Sequence, residues 1–230
     1  MLTKRLAACA ALVTPGGVVC DVGTDHAYLP AELLRRGQCT RAVATDIHAG
    51  PLEAAKRTLT EAGVLEQAEL FLCDGLAQVQ PEGITDVVIA GMGGDLMVHI
   101  LSAAPWTRDV KLILQPMSTQ EVLRQWLVAH GYAILWEGIA REGEKFYPLF
   151  TATGGQSPRY SPGELWAGRQ QQGEDNPHRL AYLTEQIRRR QRALEGMTQS
   201  SRPDPGQLGR ERTLQNDLQR MREEWIQWQR

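Results

Sequence analysis

Residues 17–30 read GVVCDVGTDHAYLP, an apolar run that ends in an acidic turn with a single glycine. Such a run is typical of a buried strand in a parallel sheet, and a helical pattern follows it. A nucleotide-like ligand usually binds at the turn after the first strand of such a sheet. This turn is not Gly-x-Gly-x-x-Gly, because Asp21 and Asp25 flank its one glycine, Gly23. The pyrophosphate of NAD or FAD would meet two carboxylates there, which argues against a Rossmann dehydrogenase.

Short apolar runs and helical patterns alternate from this stretch to about residue 150. Five runs predict strands of a parallel sheet that is covered on both faces. They are residues 17–22, 42–46, 69–74, 85–90 and 111–115. Two more runs, at 132–136 and 147–151, are joined by a charged turn at 141–145 and predict a terminal antiparallel hairpin. We therefore predict a Rossmann-like α/β domain over residues 1–153.

The composition changes at about residue 154. Residues 154–174 are rich in Gly, Ser, Pro and Gln, which predicts a connector with at most a short helix. Two heptad-like patterns follow, and residues 200–206 between them predict a loop. Their apolar positions are Leu180, Leu183, Ile187, Leu194 and Met197, then Leu214, Leu218, Met221, Trp225 and Trp228. We expect residues 154–230 to form an antiparallel coiled-coil hairpin. The arginines at 188, 189, 190 and 192 would then face solvent.

The charge of the chain is unevenly distributed. The 230 residues carry a formal charge of −2, which argues against indiscriminate binding to nucleic acid. Residues 1–150 contain 12 basic and 17 acidic side chains, whereas residues 151–230 contain 13 basic side chains, all Arg, and 10 acidic ones. The two parts are therefore expected to have different tasks.

The N-terminus and the cysteines indicate the compartment. Lys4 and Arg5 precede an Ala-rich stretch that superficially resembles a signal peptide, but the stretch is weakly hydrophobic and leads directly into the first strand. An amphipathic first helix is the simpler interpretation. No apolar run has the roughly 18 residues that a membrane span needs. The four cysteines show no metal-ligand spacing, so we expect a reduced, cytoplasmic protein without structural zinc.

The acidic residues at the predicted strand ends favour a cationic ligand without a phosphate. Asp21 and Asp25 would attract the ammonium and sulfonium of S-adenosylmethionine. Asp46 ends the second strand, where a carboxylate can accept hydrogen bonds from ribose hydroxyls. Asp74 ends the third strand, where it can accept from the adenine amino group. The alternative interpretation is that these residues only cap the helices that follow them.

A glycine loop, Gly91-Met92-Gly93-Gly94, ends the fourth predicted strand. Glycines let backbone approach a ligand closely, although a flexible turn has the same composition. The Asn/Asp-Pro-Pro-Tyr segment expected for methylation of an exocyclic amino group does not occur. Residues 115–117, which end the fifth strand, are candidates for the acceptor pocket. Four of the five histidines are interpreted as surface or packing residues: His48, His99, His130 and His178.

Three strings, DVGTDHAYLP at 21–30, IAGMGG at 89–94 and LILQP at 112–116, resemble the bacterial family of tRNA (adenine-22 N1)-methyltransferases. The resemblance covers roughly residues 2–150 and continues as architecture through the C-terminal helices. It implies a class I methyltransferase fold, S-adenosylmethionine as donor, and N1 of an adenine in the D-arm region of tRNA as acceptor. The chain departs from the family at Met117, where Asn is frequent, so no polar role is expected there.

The resemblance and the strand positions together assign candidate site residues. The cofactor candidates are Asp21, Gly23, Thr24, Asp46, Ile47, Asp74, Gly75, Gly91, Met92 and Gly93. The candidates for positioning the acceptor base are Asp25, His26 and Tyr28. Adenine N1 carries a lone pair and no proton, so no general base is required; we expect Tyr28 to stack on an unpaired base.

Contacts to RNA phosphates are expected from basic residues in local patches. They are Lys4, Arg5, Lys56, Arg57, Arg188, Arg189, Arg190 and Arg192. For the four arginines near 190 the alternative is a solvated helix face. A small-molecule methyltransferase on the same fold and a non-catalytic helical adaptor remain competing interpretations of the chain. We expect the protein to bind tRNA, to need no metal or membrane, and to act as a monomer.

Overall fold

The computed structural model describes residues 2–200 and 204–229. A seven-stranded sheet has the order β3-β2-β1-β4-β5-β7-β6. The strands are β1 (Gly17–Val22), β2 (Cys39–Asp46), β3 (Ala68–Leu72), β4 (Asp86–Gly93), β5 (Lys111–Ser118), β6 (Tyr132–Glu142) and β7 (Lys145–Gly154). The helices are α1 (Lys4–Leu12), α2 (Tyr28–Arg35), α3 (Ala49–Glu61), α4 (Gly94–Ala103), α5 (Gln120–Ala129), α6 (Pro162–Ala167), α7 (Arg179–Thr198) and α8 (Pro205–Trp228). Strands β1 to β5 are parallel and β7 is antiparallel to both of its neighbours, as predicted.

The sheet separates two apolar layers. Side chains alternate between the faces of a strand, so neighbouring residues of β4 belong to different layers. Val88 packs in the layer of α1, α2 and α3, and Val87 and Ile89 pack in the layer of α4 and α5. This arrangement brings the carboxyl ends of β1 to β5 to one edge of the sheet. The strand order reverses between β1 and β4, where open α/β sheets bind ligands.

The terminal hairpin is longer than predicted. Strand β6 continues beyond Trp136 to Glu142, and a bulge between Ile134 and Trp136 shifts its register against β7 by one residue. The bulge turns Leu135 outward, where it is 57% exposed. Gly143 has a φ of +56° and forms the tight turn inside the predicted segment 141–145.

A buried ionic network joins the sheet to the C-terminal helices. Arg124 on α5 is 1% exposed and donates to a carboxylate oxygen of Glu137 at 2.7 Å and to the carbonyl of Leu165 at 2.9 Å. The second oxygen of Glu137 accepts from the backbone amide of Arg169 at 2.7 Å. Arg179 at the start of α7 donates to the carbonyls of residues 167 and 168. The domain boundary at residue 153 stays a prediction.

Helices α6 to α8 follow the predicted plan in part. The short helix α6 in the connector begins with a capping box between Ser161 and Glu164. Helices α7 and α8 pack antiparallel: Tyr182 and Leu183, near the start of α7, cluster with Leu218 and Met221 in the second half of α8. Arg190, further along α7, pairs with the earlier Glu211. Ser201, Arg202 and Pro203 of the predicted loop lie outside the described residues.

Two predictions for α7 are wrong. Leu180 is 40% exposed instead of lying in the seam, because the start of α7 also packs against α6 and the sheet, and this contact turns Tyr182 and Leu183 inward. Arg190 does not face solvent: its guanidinium lies 4.3 Å from the Trp166 ring centre and 3.5 Å from Glu211. The apolar stem and planar head of an Arg make such a position possible.

Within residues 2–200 and 204–229, no helix is long and apolar enough to cross a bilayer. The same residues contain no cluster of three His, Cys, Asp or Glu side chains that could hold a metal ion. All four cysteines are free and buried.

Candidate active site

The turn after β1 is tied to the end of β2. The amide of Thr24 donates to the carbonyl of Thr45 at 2.9 Å, and the amide of Asp25 donates to a carboxylate oxygen of Asp46 at 3.1 Å. Gly23 has a φ of +68°, and a Cβ at this position would lie 2.1 Å from the terminal methyl of Met92. The positive φ therefore favours glycine at this position, whereas a Cβ would displace only the flexible end of the Met92 side chain.

Asp21 is a buried acid at the centre of this edge. It is 6% exposed and accepts a hydrogen bond of 2.6 Å from the hydroxyl of Thr24. Burial raises the pKa of the Asp21 carboxyl to about 7, and the nearby charge of Asp46 adds to the rise. The hydrogen bond from Thr24 and the positive charge of Arg5 lower it only in part. A cation bound beside Asp21 would favour its ionised form.

Asp46 is the second buried acid, 8% exposed at the end of β2. Its two oxygens accept from the amides of Asp25 and His48, at 3.1 and 3.0 Å. Across the described part of the chain, neither Asp21 nor Asp46 takes part in an ion pair. Carboxylates buried without a cationic partner are costly, which is typical of a site that receives one from a ligand.

Exposed apolar side chains adjoin these acids. Ile47 follows Asp46 and is 59% exposed, and Leu72, which is paired with Asp46 in the sheet, is 53% exposed. Asp74 lies two residues further and is exposed. An aromatic ring bound here would cover apolar surface and leave a carboxylate at its rim, as expected for adenine.

Gly75, like Gly23, has a positive φ, +55°, and its surroundings are also crowded. A Cβ there would lie 3.0 Å from the side chain of Ile100 on α4, and the Gly75 carbonyl accepts from the Thr45 hydroxyl at 2.8 Å. Packing of α4 thus explains this glycine without a ligand. Its assignment as a cofactor residue stays a prediction.

The glycine loop rests on a polar support that the sequence did not reveal. The side-chain oxygen of Gln115 accepts from the amide of Gly91 at 3.2 Å and from the guanidinium of Arg5 at 2.8 Å. A Cβ on Gly91 would lie 3.1 Å from that guanidinium. Gln115 is fully buried, and its position after the apolar run of β5 was the one signal available. Arg5, expected at an RNA phosphate, thus lies under the loop.

The three predicted acceptor residues lie side by side at the start of α2. The rings of His26 and Tyr28 stack with centres 5.3 Å apart and planes inclined by 10°. A ring nitrogen of His26 lies 3.6 Å from the carboxylate of Asp25. Tyr28 is 55% exposed, so most of its ring faces solvent beside the acidic turn. The group offers an aromatic surface and a carboxylate to a base.

The remaining basic candidates lie apart from this edge of the sheet. Lys56 and Arg57 are exposed on α3, and Lys4 is exposed on α1. Arg188 and Arg189 on α7 are exposed and share Glu185, each at 2.8 Å, and Arg192 is exposed on the same helix. These positions permit phosphate contacts on either domain.

The chain matches known proteins in sequence and structure. Residues 2–150 match a family described as "Methyltransferase domain". The tRNA (adenine(22)-N(1))-methyltransferase of Bacillus subtilis is 36% identical over 156 residues, which span 67% of this chain and 66% of that protein. The alignment therefore covers just under two thirds of this relative.

Two solved structures extend the similarity to the C-terminal helices. A Streptococcus pneumoniae protein in complex with S-adenosyl-L-methionine is 31% identical, with a TM-score of 0.84 over 96% of this chain and 100% of that one. M. capricolum TrmK in complex with S-adenosyl-homocysteine is 27% identical, with a TM-score of 0.82 over 97% of this chain and 98% of that one.

Proposed function

Because this chain belongs to the methyltransferase-domain family that includes tRNA (adenine-22 N1)-methyltransferases, we propose that it transfers a methyl group from S-adenosylmethionine to N1 of adenine 22 in tRNA. The observation that carries the proposal is the pair of buried acids, Asp21 and Asp46, which form no ion pair within the described part of the chain, although the charge of Arg5 acts on Asp21 from a greater distance. They lie at the carboxyl ends of adjacent strands, beside the glycine loop.

The residues at this edge suit the cofactor. Asp21 offers a carboxylate to the ammonium of the methionine moiety, and that contact holds Asp21 ionised near neutral pH. Asp46 has lone pairs left for ribose hydroxyls after it accepts two backbone amides. Asp74 offers an acceptor to the adenine amino group, and Ile47 and Leu72 offer apolar surface to the ring. The glycine at 91 leaves room for the Arg5 guanidinium that supports the loop from below.

Methyl transfer to adenine N1 requires the protein to position the base and does not require proton transfer at N1. Bound S-adenosylmethionine supplies an electrophilic methyl group on a sulfonium. Adenine N1 attacks with its own lone pair, so the chain must align the base and exclude water. Tyr28 supports the base by stacking, as enzymes that act on unstacked bases do. The carboxylate of Asp25 accepts from the adenine N6 amino group and stabilises the positive charge that forms on the ring.

A tRNA substrate implies contacts to RNA phosphates and a location where tRNA is modified. Lys4, Lys56, Arg57 and Arg192 are exposed and available to the phosphates of a folded RNA, whereas Arg188, which the sequence also suggested, is assigned no phosphate contact. We place the enzyme in the cytoplasm, where tRNA is modified and where four free cysteines stay reduced. We further propose that it acts as a monomer on one tRNA.

Methyl transfer to defined transcripts tests the activity. The purified chain is incubated with methyl-labelled S-adenosylmethionine and a tRNA transcript, with a matched transcript that carries G in place of A at position 22. We expect label in the first transcript alone. Because a methyl group on N1 blocks the pairing edge of adenine, we also expect primer extension to stop one nucleotide before position 22, on its 3′ side.

Other outcomes would separate the alternatives. Label in both transcripts would overturn the assigned position. Cofactor binding without transfer to any tRNA would overturn the RNA substrate and favour a small-molecule acceptor. No binding of S-adenosylmethionine by calorimetry would overturn enzymatic function and favour a helical adaptor.

A further inference from the structure

A groove of about 500 Å³ lies between the sheet and helix α7. Its volume falls within the roughly 300–1,000 Å³ of typical ligand sites. One wall comprises residues 116–121, which end β5 and begin α5, and the other walls come from β7, α6 and α7. Ser118 in this groove is paired with Gly93 of the glycine loop. The groove therefore begins beside the candidate active site and leads away from it toward the C-terminal helices.

The charged groups along the groove are mainly basic. Lys145 at the start of β7 and Arg189 and Arg190 on α7 line it. Glu121 is the acid among the lining residues. Glu185, the acid nearest to Arg189 on α7, is shared with Arg188, so the three side chains together leave a surplus positive charge. This surplus is complementary to a phosphate backbone and contrasts with the acidic turn at the end of β1.

Aromatic side chains accompany these basic ones. Phe146, Tyr147 and Trp166 line the same groove. The guanidinium of Arg141 lies 5.4 Å from the Phe146 ring centre, and that of Arg190 lies 4.3 Å from the Trp166 ring centre. Basic groups interleaved with aromatic rings are typical of grooves that track single-stranded nucleic acid.

We propose that this groove binds the RNA strand adjacent to the target base, with Arg189 and Lys145 at phosphates. The proposal rests on the proposed tRNA substrate and adds the path of the strand. A base that is unpaired for methylation leaves its neighbours unpaired or distorted, and they need a surface that leads away from the catalytic edge. The groove supplies that surface because it begins at the loop after β5. It also gives the C-terminal helices a direct role beside the active site.

Arg189 and Arg188 form a matched pair for the test. The two residues are adjacent on α7, each pairs with Glu185 at 2.8 Å, and their side chains are 63% and 52% exposed. Arg189 lines the groove and Arg188 does not. The variants Arg189→Ala and Arg188→Ala therefore remove the same charge and the same ion pair. They differ only in position: Arg189→Ala removes a positive charge from the groove, and Arg188→Ala removes one from the helix surface outside it.

The experiment measures binding of a tRNA transcript by fluorescence anisotropy over a series of salt concentrations, and KM for both substrates. We expect Arg189→Ala to weaken tRNA binding about threefold to tenfold, on the scale of one partly screened charge contact. The slope of log affinity against log salt should become shallower by about 0.7 to 0.9. KM for S-adenosylmethionine should not change. Arg188→Ala should behave as the unmodified chain, and Lys145→Ala as Arg189→Ala.

Two results would overturn the proposal. One is equal weakening by both arginine variants, which would indicate binding by overall charge. The other is unchanged tRNA affinity in Arg189→Ala and Lys145→Ala. Since the binding measurement needs no turnover, it tests the groove separately from the proposed reaction, whose failure would appear as absent methyl transfer by the unmodified chain.

Discussion

Glu137 at the junction with the C-terminal helices and Asp21 at the carboxyl edge of the sheet are nearly equally buried, 8% and 6% exposed. Glu137 accepts from the guanidinium of Arg124, the amide of Arg169 and the hydroxyl of Tyr160. Asp21 accepts from the hydroxyl of Thr24 and forms no ion pair. The difference teaches that one buried carboxylate has its cationic partner within the chain, whereas the other has none at ion-pair distance, which is why we propose that it receives one from a ligand.

Removing the charge at the junction should have the largest effect. Glu137→Ala leaves Arg124 buried without its carboxylate, which costs about 3–5 kcal/mol in the free energy of unfolding. Urea denaturation measures this change. The control is Glu144→Ala, which removes the 95% exposed partner of Arg141 and should leave the stability unchanged. Equal stability of the two variants would contradict the view that the junction depends on its buried pair.

Removing the Asp21 carboxyl should instead increase the free energy of unfolding near neutral pH. The pKa of Asp21 is raised to about 7, so the folded chain holds a proton that the unfolded chain has lost above pH 4. Its contribution to stability is therefore present below about pH 4 and is lost as pH rises to 7. We expect Asp21→Asn to abolish this decline, which amounts to about 4 kcal/mol, in the ligand-free protein. Thermal unfolding between pH 4 and 8 measures it.

The same variant should bind the cofactor less well. In the unmodified chain, affinity for S-adenosylmethionine should rise as pH approaches 7, because the ionised form of Asp21 attracts the ammonium. In Asp21→Asn this rise should disappear, and calorimetric titration at several pH values measures it. A variant that is destabilised at pH 8, or that keeps the pH dependence of binding, would show that Asp21 is structural like Glu137.

Sequence reasoning predicted the positions of the strand-end acids, whereas it did not predict the contacts at the junction with the C-terminal helices. Asp21, Asp46 and Asp74 follow apolar runs, and the carboxyl ends of parallel strands must meet at one edge. Arg5 and Gln115 form a hydrogen bond although they are 110 positions apart, and no local sequence pattern predicts this contact. The same applies to Arg124, whose partners are set by how the connector folds back.

The helical region shows a related limit. A heptad pattern assumes that a helix has one partner, and α7 has three: α8, α6 and the sheet. Leu180 therefore loses the seam position that its spacing suggested, and Tyr182 is buried instead. Local spacing predicted both helices correctly. It predicted which side of a helix is buried only where a single neighbouring helix covers that side.

A smaller effect is expected at the second site acid. Asp46→Asn keeps an oxygen that can accept a backbone amide and removes the negative charge. We expect affinity for S-adenosylmethionine to fall by about 1.5–3 kcal/mol, the scale of hydrogen bonds to a charged acceptor. Asp109→Asn is the control, because Asp109 is an exposed acid just before β5, at the opposite edge of the sheet. Comparable losses in both variants, measured by calorimetry, would argue against a specific contact at Asp46.

The smallest of these effects is expected at Tyr28, which is exposed and contributes little to the fold. Tyr28→Ala should slow methylation of tRNA by an amount equivalent to roughly 1–3 kcal/mol, the scale of one base–aromatic stack. Affinity for S-adenosylmethionine and the free energy of unfolding should not change, because Tyr28 is 55% exposed and its ring stacks on the half-exposed ring of His26. Tyr28→Phe keeps the ring and should retain turnover. If Tyr28→Ala also retains turnover, the aromatic surface formed with His26 does not hold the base, and the base must be positioned by other groups such as the glycine loop.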